Sequence, residues 1–199
     1  MRLGAAEVRW TRRADGDMRT LPDPSWTCLR QVHGARVVVV DAPGACTGEE
    51  ADAAVTTVPG AHLAVFTADC APVALSSPEG VIGAVHAGWR GVVAGVVEAA
   101  AERMRSLGAT RIEAALGPCI HVECYEFTDV AQWFPAAVIG ESAAGTPALD
   151  LPAAVRAALA RADVVLLHDE DVCTACSPDH FSHRARGDVE RQAMVVWMP

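Results

Sequence analysis

AHLAVFTADCAPVALSSPEGVIGAVHAGWRGVVAGVVEAAAERMRSLG, residues 61–108, carries two kinds of apolar rhythm. AHLAVF (61–66) and VIGAVH (81–86) are short continuous runs, the pattern of strands covered on both faces. From Val92 onward the apolar positions 92, 93, 96, 97, 100, 104 and 107 fall on one stripe. That spacing predicts one helix over Val92–Leu107, with Gly108 as its stop. Strand, strand, helix is the unit from which a layered fold is built.

The same rhythms extend along the chain. ARVVVV (35–40), ADVVLL (162–167) and AMVVWM (193–198) read as further buried strands, and RIEAAL (111–116) as another. Leu151–Ala160 reads as a second, Ala-rich helix, while AAGTPALDLP (143–152) reads as a loop rather than a domain linker. Interleaved strands and helices predict an α/β or α+β sandwich, a single domain over 1–199 with mixed sheets flanked by helices. With 199 residues, 51% of them apolar, the chain can bury one sizeable core.

Charge and composition narrow the partners. The formal net charge of −9 repels a polyphosphate backbone, the arginines are scattered, and lysine is absent, so no nucleic-acid partner is expected. No apolar run approaches the roughly 20 residues of a membrane helix, so no membrane partner is expected either. The opening MRLGAAEVRWTRRADGD lacks the apolar centre of a signal peptide, which predicts a cytoplasmic protein. There the seven cysteines read as free thiols or metal ligands rather than a disulfide framework. Cys28 and Cys46 read as small hydrophobes, and Cys173-x-x-Cys176 is a lone pair without a partner motif.

Cys70 and His86 each stand where an apolar run gives way to small residues, and His33 occupies a similar place in QVHG. Imidazole and thiolate are the favoured zinc ligands, and two His with one Cys leave a fourth position open, as in catalytic sites. The gaps of 37 and 16 residues fit no compact finger but suit a site assembled from separate strand ends. Packed, non-ligating side chains explain the spacing equally well. Asp69, beside Cys70, reads as a second partner to a ligand, as a general base, or simply as a turn former. Gly88, Arg90 and Gly91 follow His86, where open backbone and a guanidinium could take an anion. Cys119, His121, Glu123 and Cys124 follow the RIEAAL strand and read as a pocket wall or as part of a second metal site.

Taken in order, QVHG, ADAAVTT, TADCAPV, AVHAGWRG, LGPCI, CYEF and CT…PDHFSHR…RQA resemble the YfiH-like family over about Leu29–Trp197. Its members go under the names laccase-domain protein, polyphenol oxidase and peptidoglycan editing factor, and are viewed as zinc-dependent purine nucleoside phosphorylases. The resemblance implies zinc on His33, Cys70 and His86 and an α/β sandwich; a monomer or homodimer is expected. It also implies phosphorolysis of adenosine, inosine, guanosine or methylthioadenosine, with adenosine deamination as a side activity. Asp69 and Arg90 are then the expected catalytic residues, and Gln31, Gly88, Cys119 and Arg184 the expected substrate contacts. A zinc amidase acting on cell-wall precursors and a weakly active zinc-binding regulatory domain are the alternatives. Seven histidines with no H-x-H pair disfavour multicopper chemistry, although copper could occupy the same trio.

Two departures stand out. Only about 30 residues precede QVHG, without the family's G-x-S…SLNLG-type segment, which predicts a more open or differently walled pocket. Where the family reads S-Y-R-R-D-G, this chain reads Ser182-His183-Arg184-Ala185-Arg186-Gly187, keeping Arg184 and, further on, Arg191.

Overall fold

The computed structural model describes residues 1–199 other than Leu21 and Pro24. Its strands, in chain order, are β1 (Arg2–Leu3), β2 (Ala6–Trp10), β3 (Trp26–Cys28), β4 (Val37–Val40), β5 (Ala53–Thr56), β6 (His62–Thr67) and β7 (Ala71–Ser76). They continue as β8 (Ile82–Ala87), β9 (Ile112–Leu116), β10 (Ile139–Glu141), β11 (Pro147–Leu149), β12 (Val164–Asp169) and β13 (Gln192–Trp197). The helices are α1 (Trp89–Ala94), α2 (Val96–Ser106), α3 (Leu151–Arg161) and α4 (His183–Arg186).

Two mixed sheets stack, in the orders β1-β2-β13-β6-β3 and β12-β9-β7-β8-β5-β4, and β10-β11 form a small hairpin. Alternation along each strand sorts the side chains between layers. Ala74, Ile82 and Ala84 of the larger sheet meet Leu63, Met194 and Val196 of the smaller one. The opposite face of the larger sheet presents Val73, Leu75 and Val85 to Val97 and Met104 of α2 and to Val155 and Leu159 of α3. The result is a sandwich of sheet, sheet and helices, α+β in class, as the apolar rhythm predicts.

Details differ from the sequence reading for local reasons. Gly95 adopts a left-handed φ of +82° and divides the expected single helix into α1 and α2. The 143–152 stretch is not loop throughout: β11 pairs with β10, and Asp150 caps α3 by accepting from the Ala153 amide at 2.8 Å. Strand β7 has no counterpart among the expected strands, because Pro72 argues against one. Its proline is tolerated because the ladder to β9 starts only at Val73.

Strand direction decides where the chemistry collects. Strands β4, β5 and β7 begin, and β8, β9 and β12 end, at the same end of the larger sheet. Strand β13 begins opposite the end of β6, with Gln192 across from Thr67. Every connection leaving or entering that end therefore opens onto one region. Among the described residues, no helix is long and apolar enough to cross a membrane.

Leu63 is fully buried between the sheets. Leu63→Ala is expected to cost about 2–5 kcal/mol in urea unfolding, against within about 0.5 kcal/mol for Val165→Ala on the exposed face of β12. Equal losses in the two variants would contradict this placement of the core.

Candidate metal centre

His33 follows β3, Cys70 lies between β6 and β7, and His86 is on β8, so all three arrive at the same sheet end. Their donor atoms lie within 4.8 Å of one another. His33 Nε2 and Cys70 Sγ are 3.8 Å apart, and the two imidazole rings meet edge to face at 4.8 Å between centroids. Gly88, which precedes α1, makes the fit possible. A Cβ there would stand 2.9 Å from His33 Cδ2 and 3.0 Å from Cys70 Sγ.

A buried carboxylate sets the positions of both imidazoles. Asp52, immediately before β5, accepts from His86 Nδ1 and from the His33 amide through Oδ1, each at 2.8 Å. Its Oδ2 accepts from the amides of Gly34 at 2.7 Å and Val32 at 3.2 Å. This collection of donors holds His33 in a left-handed backbone conformation, φ +60°. The hydrogen bond on Nδ1 fixes the His86 tautomer and leaves Nε2 for a metal. Two imidazoles, one thiolate and a carboxylate behind them fit a catalytic zinc site with an open fourth position.

The charges agree with that reading. Burial opposes the Cys70 thiolate, but the charge of His86 and the hydrogen bond from His33 prevail and pull the thiol down to about 6. Burial likewise opposes the His86 imidazolium, yet Cys70 and Asp52 push it up to about 9. Burial also works against ionised Asp52, and the His86 contact and the backbone amides overcome it, lowering its pKa.

The trio lies in a cavity of about 660 Å³, within the usual range for small-ligand sites. Phe66 and Tyr125 supply aromatic wall, and Arg30, Arg184 and Arg191 supply positive charge. Arg184 lies 5.2 Å from the Tyr125 ring centroid, and burial pushes the Tyr125 phenol up, so it remains a proton donor at neutral pH. Arg191 is half-buried, its pKa lowered by burial and by Arg19, and among the described residues its guanidinium donates only to carbonyls of residues 188–190 through one nitrogen. Arg30 and Arg19 have acidic partners in Glu50 and Asp17; among the described residues, Arg184 and Arg191 have none. Arg191 is partly desolvated and without a counter-charge, which marks a place for an anion, and the exposed Arg184 adds a second guanidinium to the same wall.

The residues singled out in the sequence divide. Gln31 and Asp69 line the cavity together with Arg184. The Gln31 amide clamps the Phe66 backbone from both sides, at 2.8 Å each way. Asp69, with φ +97°, accepts from Thr174 Oγ1 at 2.8 Å and the Arg184 amide at 2.7 Å, while the role of second partner to a ligand imidazole belongs to Asp52. Gly88 abuts the ligands themselves. Two residues expected in the pocket lie outside its wall. Arg90 is exposed with its guanidinium over the Trp89 ring, 4.4 Å from the centroid, and Cys119 is packed in the core. Asp52 is a functional residue with little signal in the sequence, because it closes the acidic stretch EEAD just before the apolar run AAV.

The protein-family model described as multi-copper polyphenol oxidoreductase laccase matches residues 5–199. A purine nucleoside phosphorylase of Streptomyces coelicolor is 48% identical over 179 residues, covering 85% of this chain and 74% of that protein. One from Deinococcus radiodurans is 44% identical over 178 residues, covering 86% of this chain and 69% of that one. Among solved structures, the hypothetical protein YfiH of Bacillus licheniformis superposes with a TM-score of 0.78 at 26% identity, over 92% of this chain and 78% of that chain. YlmD of Geobacillus stearothermophilus superposes with a TM-score of 0.74 at 30% identity, over 88% and 74% respectively.

Two substitutions and one titration at this centre have expected outcomes. Cys70→Ala abolishes zinc at the trio, and Asp52→Asn lowers zinc affinity by roughly 10–100-fold in competition with a chromophoric chelator. In metal-free protein, alkylation of Cys70 accelerates as pH rises through about 6 and then levels off. A rise only near 9, the ordinary value for a thiol, would contradict the ion-paired thiolate.

Proposed function

The chain belongs to the family described as multi-copper polyphenol oxidoreductase laccase, and on that premise we propose that it is a zinc-dependent purine nucleoside phosphorylase. Its substrates in this reading are adenosine, inosine, guanosine and methylthioadenosine, with phosphate as co-substrate and adenosine deamination as a second activity of the same pocket. The observation that carries the reading is the pairing of a metal-competent trio with two uncompensated guanidiniums, Arg184 and Arg191, in one cavity. The identity to curated phosphorylases over most of the chain supports it.

Phosphorolysis breaks the bond between C1′ and the purine nitrogen and forms a bond from C1′ to a phosphate oxygen. The bonding pair leaves with the purine, which takes a proton. His33, Cys70 and His86 would hold zinc, which would supply Lewis acidity for charge developing in the reacting groups. Arg184 and Arg191 hold the phosphate dianion, taking the place that the sequence suggested for Arg90. The Tyr125 hydroxyl donates to the substrate, and Phe66, fixed by Gln31, gives the purine an apolar surface. Asp69 acts as a positioning residue, carrying Arg184 on one oxygen and Thr174 on the other.

The oxidase chemistry in the family's name finds less support. Among the described residues, one group able to hold a metal contains histidine, and it contains two. A multicopper cluster draws on many imidazoles. The cysteines are free, which suits a reducing cytoplasm.

Purine release from inosine is expected to require phosphate and to yield ribose 1-phosphate. Arg191→Met is expected to raise the KM for phosphate by roughly tenfold or more through loss of one charge-assisted contact, with zinc content unchanged. Equal purine release without phosphate would make the enzyme a hydrolase and overturn the proposal.

A further inference from the structure

The two cysteine-bearing segments left open by the sequence meet in the structure. Strands β9 and β12 are parallel neighbours, and their pairing continues past both strands as a bridge between Cys119 and Cys173. The Cys119 amide donates to the Val172 carbonyl at 3.2 Å, and the Thr174 amide to the Cys119 carbonyl at 3.0 Å. This zipper lays the turn holding Glu123 and Cys124 against the turn holding Cys173 and Cys176. Cys124 Sγ and Cys176 Sγ are 3.4 Å apart, and Cys176 Sγ is 3.7 Å from Glu123 Oε1. One donor atom from each of Glu123, Cys124, Cys173 and Cys176 lies within 4.8 Å of the other three.

We propose that Cys124, Cys173, Cys176 and Glu123 form a second, structural metal site, separate from the His33–Cys70–His86 centre, that takes a thiophilic divalent cation, zinc. Three sulfurs select a soft or borderline metal, and four protein ligands close the tetrahedron as structural sites do. With Zn–S near 2.3 Å, a tetrahedral site sets its sulfurs about 3.8 Å apart, so the 3.4 Å pair needs only a slight opening. The surroundings support the donors. The His121 amide donates to Cys173 Sγ at 3.4 Å, and the Arg186 guanidinium, itself paired with Asp188, holds the chelating turn in shape by donating to the carbonyls of Thr174 and Ala175. Cys176 is exposed, which gives the ion an entry path. A disulfide between Cys124 and Cys176 would use two of these donors and leave Cys173 and Glu123 without a purpose.

Such an ion would brace the neighbouring cavity. Tyr125 follows Cys124 directly, and Thr174, between the chelating cysteines, donates to Asp69. The metal would tie both contacts to one fixed point.

The test is zinc stoichiometry by elemental analysis on protein purified under reducing conditions, combined with cobalt(II) spectra. Wild type is expected to carry two zinc ions per chain, Cys70→Ala one, Cys176→Ser one, and the double variant none. Cobalt(II) added to metal-free Cys70→Ala is expected to give near-ultraviolet thiolate-to-metal charge transfer and visible bands of a tetrahedral ion. Circular dichroism checks that each variant folds. Wild-type protein stripped of metal and refilled with zinc supplies the same count without a substitution. One zinc in the wild type, lost in Cys70→Ala and kept in Cys176→Ser, overturns the proposal. So does a Cys70→Ala protein that takes up cobalt with no thiolate signature, or thiol counting that finds Cys124 and Cys176 joined as a disulfide.

Discussion

The carboxylate of Asp52 is the point from which the candidate metal centre is built. It is buried, and it is occupied by an imidazole and three backbone amides. One of its oxygens sets the ring of His86, and the same oxygen holds the backbone that presents His33. An ionised group in such surroundings is stable only because every donor points at it. Without it, His33 would lose the contacts that maintain its left-handed backbone, and His86 the contact that fixes its tautomer.

The sandwich makes that convergence possible through strand direction. Asp52 enters β5, Cys70 enters β7, and His86 nears the end of β8, which runs antiparallel to both. Alternation then puts His86 on the face of β8 shared by Ile82 and Ala84, toward the smaller sheet, where Phe66 and Thr67 complete the wall. The guanidiniums arrive from α4 and from the residue just before β13, because β13 begins where β6 ends. The His–Cys–His trio, aromatic wall and positive charge thus come from distant parts of the chain.

Asp69 and Asp52 divide what the sequence suggested for one residue. Both acids sit one position before a strand or a ligand, and both are buried. Asp52 faces the ligands, whereas Asp69 ties the β6–β7 connection to Thr174 and Arg184. Ile120 adds a further tie, its amide donating to the Asp69 carbonyl at 2.9 Å. The altered C-terminal motif is used in the same way. Arg186 pairs with Asp188 and holds carbonyls of the Cys173–Cys176 turn, so it works on the wall rather than in the cavity.

The sequence by itself determined the layered α+β class, six of the strands to within two residues, and α3, and it singled out His33, Cys70 and His86, whose donor atoms the fold brings together. These were legible because burial imposes a period on local sequence, and because His and Cys at strand ends are chemically conspicuous. Tertiary structure alone decided that Asp52 rather than Asp69 supports a ligand imidazole, that Cys119 lies in the core, and that Arg90 lies over Trp89 outside the cavity wall. It also brought Cys124 to Cys173 and Cys176, about 50 residues away in sequence, through a parallel pairing that no local pattern encodes. Periodicity tells a side chain's face, but which strand ends coincide depends on sheet order and direction, and those are set by contacts between segments far apart in the chain.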